Sequence, residues 1–573
     1  MHFRVRSAFT GIALLLVIGS AAARADAQET QWPRTWQEQN NFRAGPTPFV
    51  PLMAFWYELA RLSPEVSIRP LTHTLLDREY TLVTIARQPD ITPQDAIRSG
   101  KTIVLIANAV HGGEPSGKES SQIVARDLVA GDLRHILDDV IVLIIPIVNP
   151  DGGEVLRRTN EEGFDLNRDY VKLESQEIQT LVTQVMNEWT PDIHIDTHHG
   201  GAPPYTMTWQ GTLNPAADRE LREYPYRYIF PAMRAALRAE DYDGFDYAGP
   251  QTIDGRPAWG STSIEPRKHH VYTGLVNSIG LLFETPSNTH RVRANGTRVE
   301  PVPQEERYYH QVRGSVISKR VVLQVAAERR QEIRALTNAS RQRALEAGAT
   351  FSEDDRVVLD YELVARGNEP VWVPDGAGSF RLETRPIYLT YNITRSTPRP
   401  LGYILPPSMA KVLPLLMDHD IRVQRFTRPA TLELEVYRAG RVQHDEYFQG
   451  HYLKSVADVT KTTETVEVPA GSYYISMAQS RGNLIAYLLE PETDDNLITW
   501  GWVNHLLRVT GDTVAGSGAA GAGGAPAARA GQQQPQRIPM MRMVRRQPLP
   551  LLEAVPFNRF ERNRYYEVVV PAR

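Results

Sequence analysis

Residues 103–120 read IVLIANAVHGGEPSGKES. The apolar run 103–110 is bounded by turn formers, which predicts a buried strand. Gly112 and Gly113 permit a sharp turn at its end. Pro115 and Ser116 suit the start of a helix expected over 116–131, with Ile123, Val124 and Leu128 on one face. His111 and Glu114 therefore stand three apart where a strand gives way to a helix, so an imidazole nitrogen and a carboxylate converge on one point. Zinc takes nitrogen and oxygen ligands, and a catalytic zinc keeps three from protein plus a water. The pair is the first half of such a site. Short His/Glu spacings also arise by chance, so the pattern needs a third ligand from elsewhere in the chain.

Strands and helices alternate on either side of this stretch. The patterning predicts a helix over 53–62 and strands over 80–86 and 139–148. A helix is expected over 173–189, a strand over 192–197, a helical region near 214–240 and a strand over 279–284. Continuous apolar strands between helices indicate an α/β fold with a mixed, mostly parallel sheet flanked by helices. Ligands bind such sheets beyond the carboxyl ends of the strands. Three further polar clusters stand at such ends. NPDGGEVLRRTNEEGFDLNRDY (149–170) follows strand 139–148, His198-His199-Gly200 follows strand 192–197, and strand 279–284 ends in Glu284. Taken singly, DLNRDY is a solvated turn and the two histidines are exposed loop residues. A carboxylate ending so apolar a run is costly without a partner or a task.

Together, His111-x-x-Glu114, Asn149-Pro150-Asp151-Gly152, Arg158 before Asp165-Leu166-Asn167-Arg168, Asp196-Thr197-His198 and Glu284 resemble the zinc metallocarboxypeptidases of carboxypeptidase A type. The resemblance covers roughly residues 40–345 and keeps the family's motif order. It implies Zn²⁺ held by His111, Glu114 and His198, with His199 as a rival to His198. His194 is then a core or supporting histidine. It implies that Asp165 supports a ligand histidine and that Glu284 is the general base. Arg158 would stabilise the oxyanion, with adjacent Arg157 as the alternative register. Asn167 and Arg168 would bind the C-terminal carboxylate of a peptide substrate. Asp169 departs from the family's Asn. The family's substrate-capping tyrosine has no clear match, and Tyr272 is the nearest guess.

Beyond the catalytic region the texture changes. Residues 303–347 form a long charged helical stretch. From about 350, VVLDYELVA, RPIYLTYNI, ATLELEVYR, ETVEVPAGSYYISMA and NLIAYLLEP read as strands between Pro/Gly turns. The organisation expected is a signal peptide (1–27), a catalytic domain (28–347) and a β-rich accessory domain (348–511) that serves as scaffold. A low-complexity linker or insertion (512–545) and a C-terminal segment ending in a strand (546–573) complete it.

The chain has 573 residues, 42% hydrophobic and 23% charged, with a formal net charge of −4. No basic stripe points to nucleic acid. Arg4 and Arg6, the apolar run Phe9–Ile18 and Ala25-Asp26-Ala27 form a secretory signal, placing the mature start at Gln28 and the protein in the periplasm or outside the cell. No other apolar stretch has the length of a membrane span. There are no cysteines, which excludes disulfides and thiolate chemistry. Nothing in the sequence specifies an oligomeric state. The expected activity is an exported zinc carboxypeptidase acting on peptides. The alternatives are a zinc deacylase of acylated amino acids on the same fold, or a non-catalytic peptide- or wall-binding protein.

Overall fold

A computed structural model describes residues 31–261, 263–293, 296–510 and 534–556. The expected signal peptide, most of the expected linker and the final strand lie outside the described residues.

The chain builds an eight-stranded mixed sheet. Its strands are β1 (Val66–His73), β2 (Glu79–Ile85), β3 (Thr102–Asn108), β4 (Val140–Ile145), β5 (Ile193–His199), β6 (Met207–Gly211), β7 (Gly244–Asp246) and the strand Ile279–Thr285. The spatial order is β1, β2, β4, β3, β5, Ile279–Thr285, β6, β7. The centre, from β4 through Ile279–Thr285, is parallel. The pairings β1–β2, β2–β4 and Ile279–Thr285 with β6 are antiparallel.

Alternation along the central strands feeds two cores. Val104, Ile106, Val142, Ile144, Ile195 and Phe283 face one way, against Trp56, Val124, Leu128, Val316 and Val322 of helices Phe49–Leu62, Ser116–Ala130 and Arg307–Glu328. Ile103, Leu105, Ile141 and Leu143 face the other way, against Ile178, Leu181 and Val185. Burial on both faces explains why these strands read as unbroken apolar runs.

The second core continues into the C-terminal region. Tyr403, Leu413, Leu416, Ile485 and Leu488 are buried in the same cluster as Leu105 and Leu143. The region is β-rich: a seven-stranded sheet with the hairpin Ala430–Phe448/His451–Val468 at one edge, and the long hairpin Arg356–Pro374/Phe380–Pro398. The latter hairpin pairs with Arg256–Gly260, so one four-stranded sheet joins the catalytic and C-terminal parts. Gln536–Met543, inside the stretch read as a linker, is a strand of the seven-stranded sheet.

One expected strand is a helix. NLIAYLLEP lies largely in the helix Gly482–Leu489, whose residues 484–489 are all buried. A short apolar run buried on all sides carries no period that separates helix from strand. The expected helix over 173–189 and the region near 214–240 are both helical, each with a π-type turn, at Leu181–Met186 and Pro225–Ile229.

Burial pushes the carboxyl of Glu177 up to about 7, against a bond from Asn160 that favours the charged form. The folded protein thus holds this proton to higher pH than the unfolded chain. That penalises folding progressively as pH rises from the ordinary carboxylate range to about 7. Glu177→Gln should raise the melting temperature at pH 8, with the gain shrinking towards zero below pH 4. Equal gains at both pH values in thermal melts, or a loss at pH 8, would contradict this assignment.

Candidate active site

The carboxyl ends of β5 and Ile279–Thr285 and the segments that follow β3 and β4 meet at one cavity of about 260 Å³. That is below the ~300–1,000 Å³ of typical small-molecule clefts and suits the end of a chain.

His111 and Glu114 stand on the turn between β3 and helix Ser116–Ala130. The two glycines between them serve close approach. A Cβ on Gly112 would lie 2.2 Å from the carbonyl carbon of Gly152, and one on Gly113 2.8 Å from the Leu156 oxygen. The opposing turn is capped by Asn149, whose side chain accepts from the Gly152 N–H at 2.9 Å. Asp151 turns away to Thr74 and Arg78, which makes it an anchor of this loop.

His198 is paired in register with Glu284 on the neighbouring parallel strand. Strand alternation puts His194, Asp196 and His198 on one face and His199 on the other. His199 accepts the Ser116 N–H at 3.0 Å and lies 2.7 Å from Ser116 Oγ. Burial lowers its pKa to about 4, so it is neutral with its lone pair occupied.

His111, Glu114 and His198 converge, with one candidate ligand atom from each lying within 4.8 Å of the others. His111 Nδ1 lies 2.9 Å from Glu114 Oε1, His198 Nδ1 2.9 Å from Glu114 Oε2, and the two Nδ1 atoms 3.1 Å apart. Behind them, His111 Nε2 is 3.0 Å from Asp165 Oδ1 and His198 Nε2 2.8 Å from Asp196 Oδ2. Each imidazole thus has a carboxylate in front of Nδ1 and another behind Nε2; with the Nε2 protons held toward Asp165 and Asp196, a cation at the centre would meet both Nδ1 lone pairs. Two lone pairs and a carboxylate aimed at one point suit a divalent cation, and His₂Glu is a zinc set. Burial opposes charge on Glu114 and Asp165. Bonds from His111 and His198 to Glu114, and from His111 to Asp165, outweigh it and hold both carboxyls well below the usual range.

Asp165 also receives Arg158, at 2.9 Å from Nη2 and 3.0 Å from Nε, and Arg158 Nη1 reaches Glu114 at 3.4 Å. Arg157 turns to Glu161 and the Asn160 carbonyl. Asn167 accepts the His269 N–H and contacts His198. Arg168 donates to the Asn167 carbonyl and makes no ion pair among the described residues. Asp169 is buried and takes Lys172, the backbone N–H groups of Glu174 and Ser175, and the Ser175 hydroxyl, bracing the loop from beneath. Glu284 Oε2 is buried without a partner, and burial pushes this carboxyl up to about 8.

Tyr272 is not brought to the cavity. It is buried, and its hydroxyl lies 2.8 Å from His419 Nδ1. Tyr247, following β7, lines the cavity instead. The negative charge of Glu284, and then burial, raise its pKa. Sequence reasoning also missed Ser261, Ser263, Lys268 and His270 on the same wall. A polar segment leading into helix His269–Leu275 was the available signal. The C-terminal region reaches the site as well. Gln449, at the tip of the hairpin, accepts the Asp165 N–H at 3.0 Å, and His451 lies 2.9 Å from Glu174.

Residues 52–203 match the family model described as zinc carboxypeptidase. Carboxypeptidase 2 of Trichophyton rubrum is 22% identical over 429 residues, 70% of this chain and 74% of the fungal protein. Carboxypeptidase SOL1 of Arabidopsis thaliana is 32% identical over 124 residues, 18% of this chain and 24% of the plant protein. Among solved structures, a metallo-carboxypeptidase from Burkholderia cenocepacia aligns with a TM-score of 0.36 at 20% identity, over 47% of this chain and 67% of the other.

Two outcomes are expected for metal content. His198→Ala should abolish stoichiometric zinc in the purified protein, whereas His199→Ala should retain it. Asp165→Asn should weaken zinc about 10–100-fold in chelator competition, since it no longer fixes the His111 tautomer. Elemental analysis giving the reverse order for the two histidines would overturn the ligand assignment.

Proposed function

The chain belongs to the zinc metallocarboxypeptidase family, and from that premise we propose that it is an exported zinc carboxypeptidase cleaving the C-terminal peptide bond of peptides. The observation that carries this reading is Arg168, an arginine with no ion-pair partner among the described residues, in the same cavity as the His111–Glu114–His198 cluster. A half-buried guanidinium without an ion pair is a site where a ligand can supply the anion. A substrate's terminal carboxylate supplies it, through a two-pronged contact.

Zinc would be held by His111, Glu114 and His198, and would supply a water of lowered pKa and Lewis-acid polarisation of the scissile carbonyl. Glu284, in register with His198, takes the proton from water and delivers it to the leaving amine; its burial raises its affinity for that proton. Arg158, half exposed beside Glu114, offers donors to the oxygen on which negative charge develops. Asp165 and Asp196 keep the ligand imidazoles oriented. Tyr247 closes the cavity beside Glu284. Export rests on the sequence of residues 1–27. Among the described residues no helix is long and apolar enough to cross a membrane.

Glu284→Gln should retain zinc and the melting temperature while turnover falls ~10²–10⁴-fold. Near-normal turnover of that variant would remove Glu284 from the base role. Arg168→Ala should depress cleavage of free-acid peptides severely, and Arg168→Lys should recover it only in part, because lysine lacks the fork. C-terminally amidated peptides should be poor substrates for the wild type and respond little to either change. Equal cleavage of amidated and free-acid peptides, at internal bonds, would exclude the carboxypeptidase reading.

A further inference from the structure

The wall of the cavity formed by Ser261, Ser263, Lys268 and His270 has no role in the chemistry above. Lys268 is mostly buried, with 14% of its side chain exposed. Its Nζ donates to Glu265 Oε2 at 2.7 Å and to Ser263 Oγ at 3.1 Å. An ammonium has three donors, so one remains. Lys268 lines the cavity, whereas Glu265 does not; the pair presents its positive end. Burial lowers the Lys268 pKa, Glu265 works against this, and the charge of Arg168 adds to the lowering, so the two cations are near enough to feel each other.

His270 adds a further unused donor. Its Nε2 lies 3.2 Å from Gln210 Nε2, an amide donor, which leaves the proton on Nδ1. That Nδ1 is buried without a partner. Leu282 is the one aliphatic side chain lining the cavity among the described residues. An aromatic or aliphatic side chain placed here would strip water from Lys268 and the two serines and return nothing. A basic side chain would meet Arg168 and Lys268, with Glu265 already taken. A carboxylate would gain charge-assisted bonds.

Resting on the exopeptidase reading, we propose that Lys268 sets substrate preference. Arg168 takes the α-carboxylate and Lys268 the side-chain carboxylate, so the enzyme removes C-terminal glutamate or aspartate. The substrate class is a peptide ending in a dicarboxylic residue. Glutamine is the sharpest competitor, because it has the same shape without the charge.

The test is kcat/KM of the full zinc-loaded chain on a series of free-acid peptides differing only in the last residue: Glu, Asp, Gln, Leu, Phe and Arg. Glu should exceed Gln by ~10–100-fold, the worth of one charged hydrogen bond. Lys268→Met should bring that ratio close to one, and Lys268→Arg should hold it well above the Met value. Zinc content and thermal melts report whether each variant is folded, and the wild-type series decides on its own if one is not. Preference of the wild type for Leu, Phe or Arg, or an unchanged Glu/Gln ratio in folded Lys268→Met, would overturn this proposal alone. Absence of C-terminal release from every peptide would overturn it together with the exopeptidase reading.

Discussion

The arrangement depends on two buried carboxylates behind two imidazoles. Asp165 lies 3.0 Å behind His111 Nε2 and Asp196 2.8 Å behind His198 Nε2, so each ring is backed by a carboxylate and turns its Nδ1 toward Glu114. Without them each ring could hold its proton on either nitrogen, and the convergence of His111, Glu114 and His198 would not be defined. Much of the surrounding structure serves this geometry. The Asn149–Gly152 turn presses on Gly112, and Asp165 is pinned through its backbone by Gln449 and through its side chain by Arg158. Asp196 sits in the central strand β5, where a mobile carboxylate is not possible.

That pinning gives the C-terminal region a place in the account. It covers the sheet face on the side of helix Gln176–Trp189 and shares that core. It also touches the active-site loops at Arg267, where Asp495 accepts at 3.1 Å, and at Asp165 and Glu174 through the hairpin tip. Lys172 lies between these contacts, buried with Asp169 and Glu174 and set over the Trp500 ring at 5.1 Å. Among the contacts of this region is one to the backbone of the loop carrying Asp165 and Arg168.

Much of this was legible in the sequence where the signal is local. Doubly buried strands announce themselves as apolar runs, and polar residues at their carboxyl ends mark the site. The choice between His198 and His199 stayed open in the sequence beyond the resemblance; the register of β5 with Ile279–Thr285 puts His198 on the face of Asp196 and Glu284. What was not legible depends on distant contacts. The edge strands β1 and β7, and β6 beside β7, are short or half-exposed and carry no long apolar run. Tyr247 and Lys268 come from segments whose approach to the cavity is set by how β6 and β7 add to the sheet. Gln449 meets Asp165 across 284 residues of chain. Tyr272 lies on a helix beside the site, but its side chain points to His419, a residue of the region the motif comparison left out.

The central claim is that two carboxylate-fixed Nδ1 atoms and Glu114 define one metal position. Anomalous diffraction from crystals of the full chain, recorded on both sides of the zinc absorption edge, tests it most directly. The account predicts a single strong peak about 2.0–2.2 Å from His111 Nδ1, Glu114 and His198 Nδ1, with no contact to His199. A peak ligated by His199, or ligation through Nε2 with Asp165 or Asp196 displaced, would contradict it.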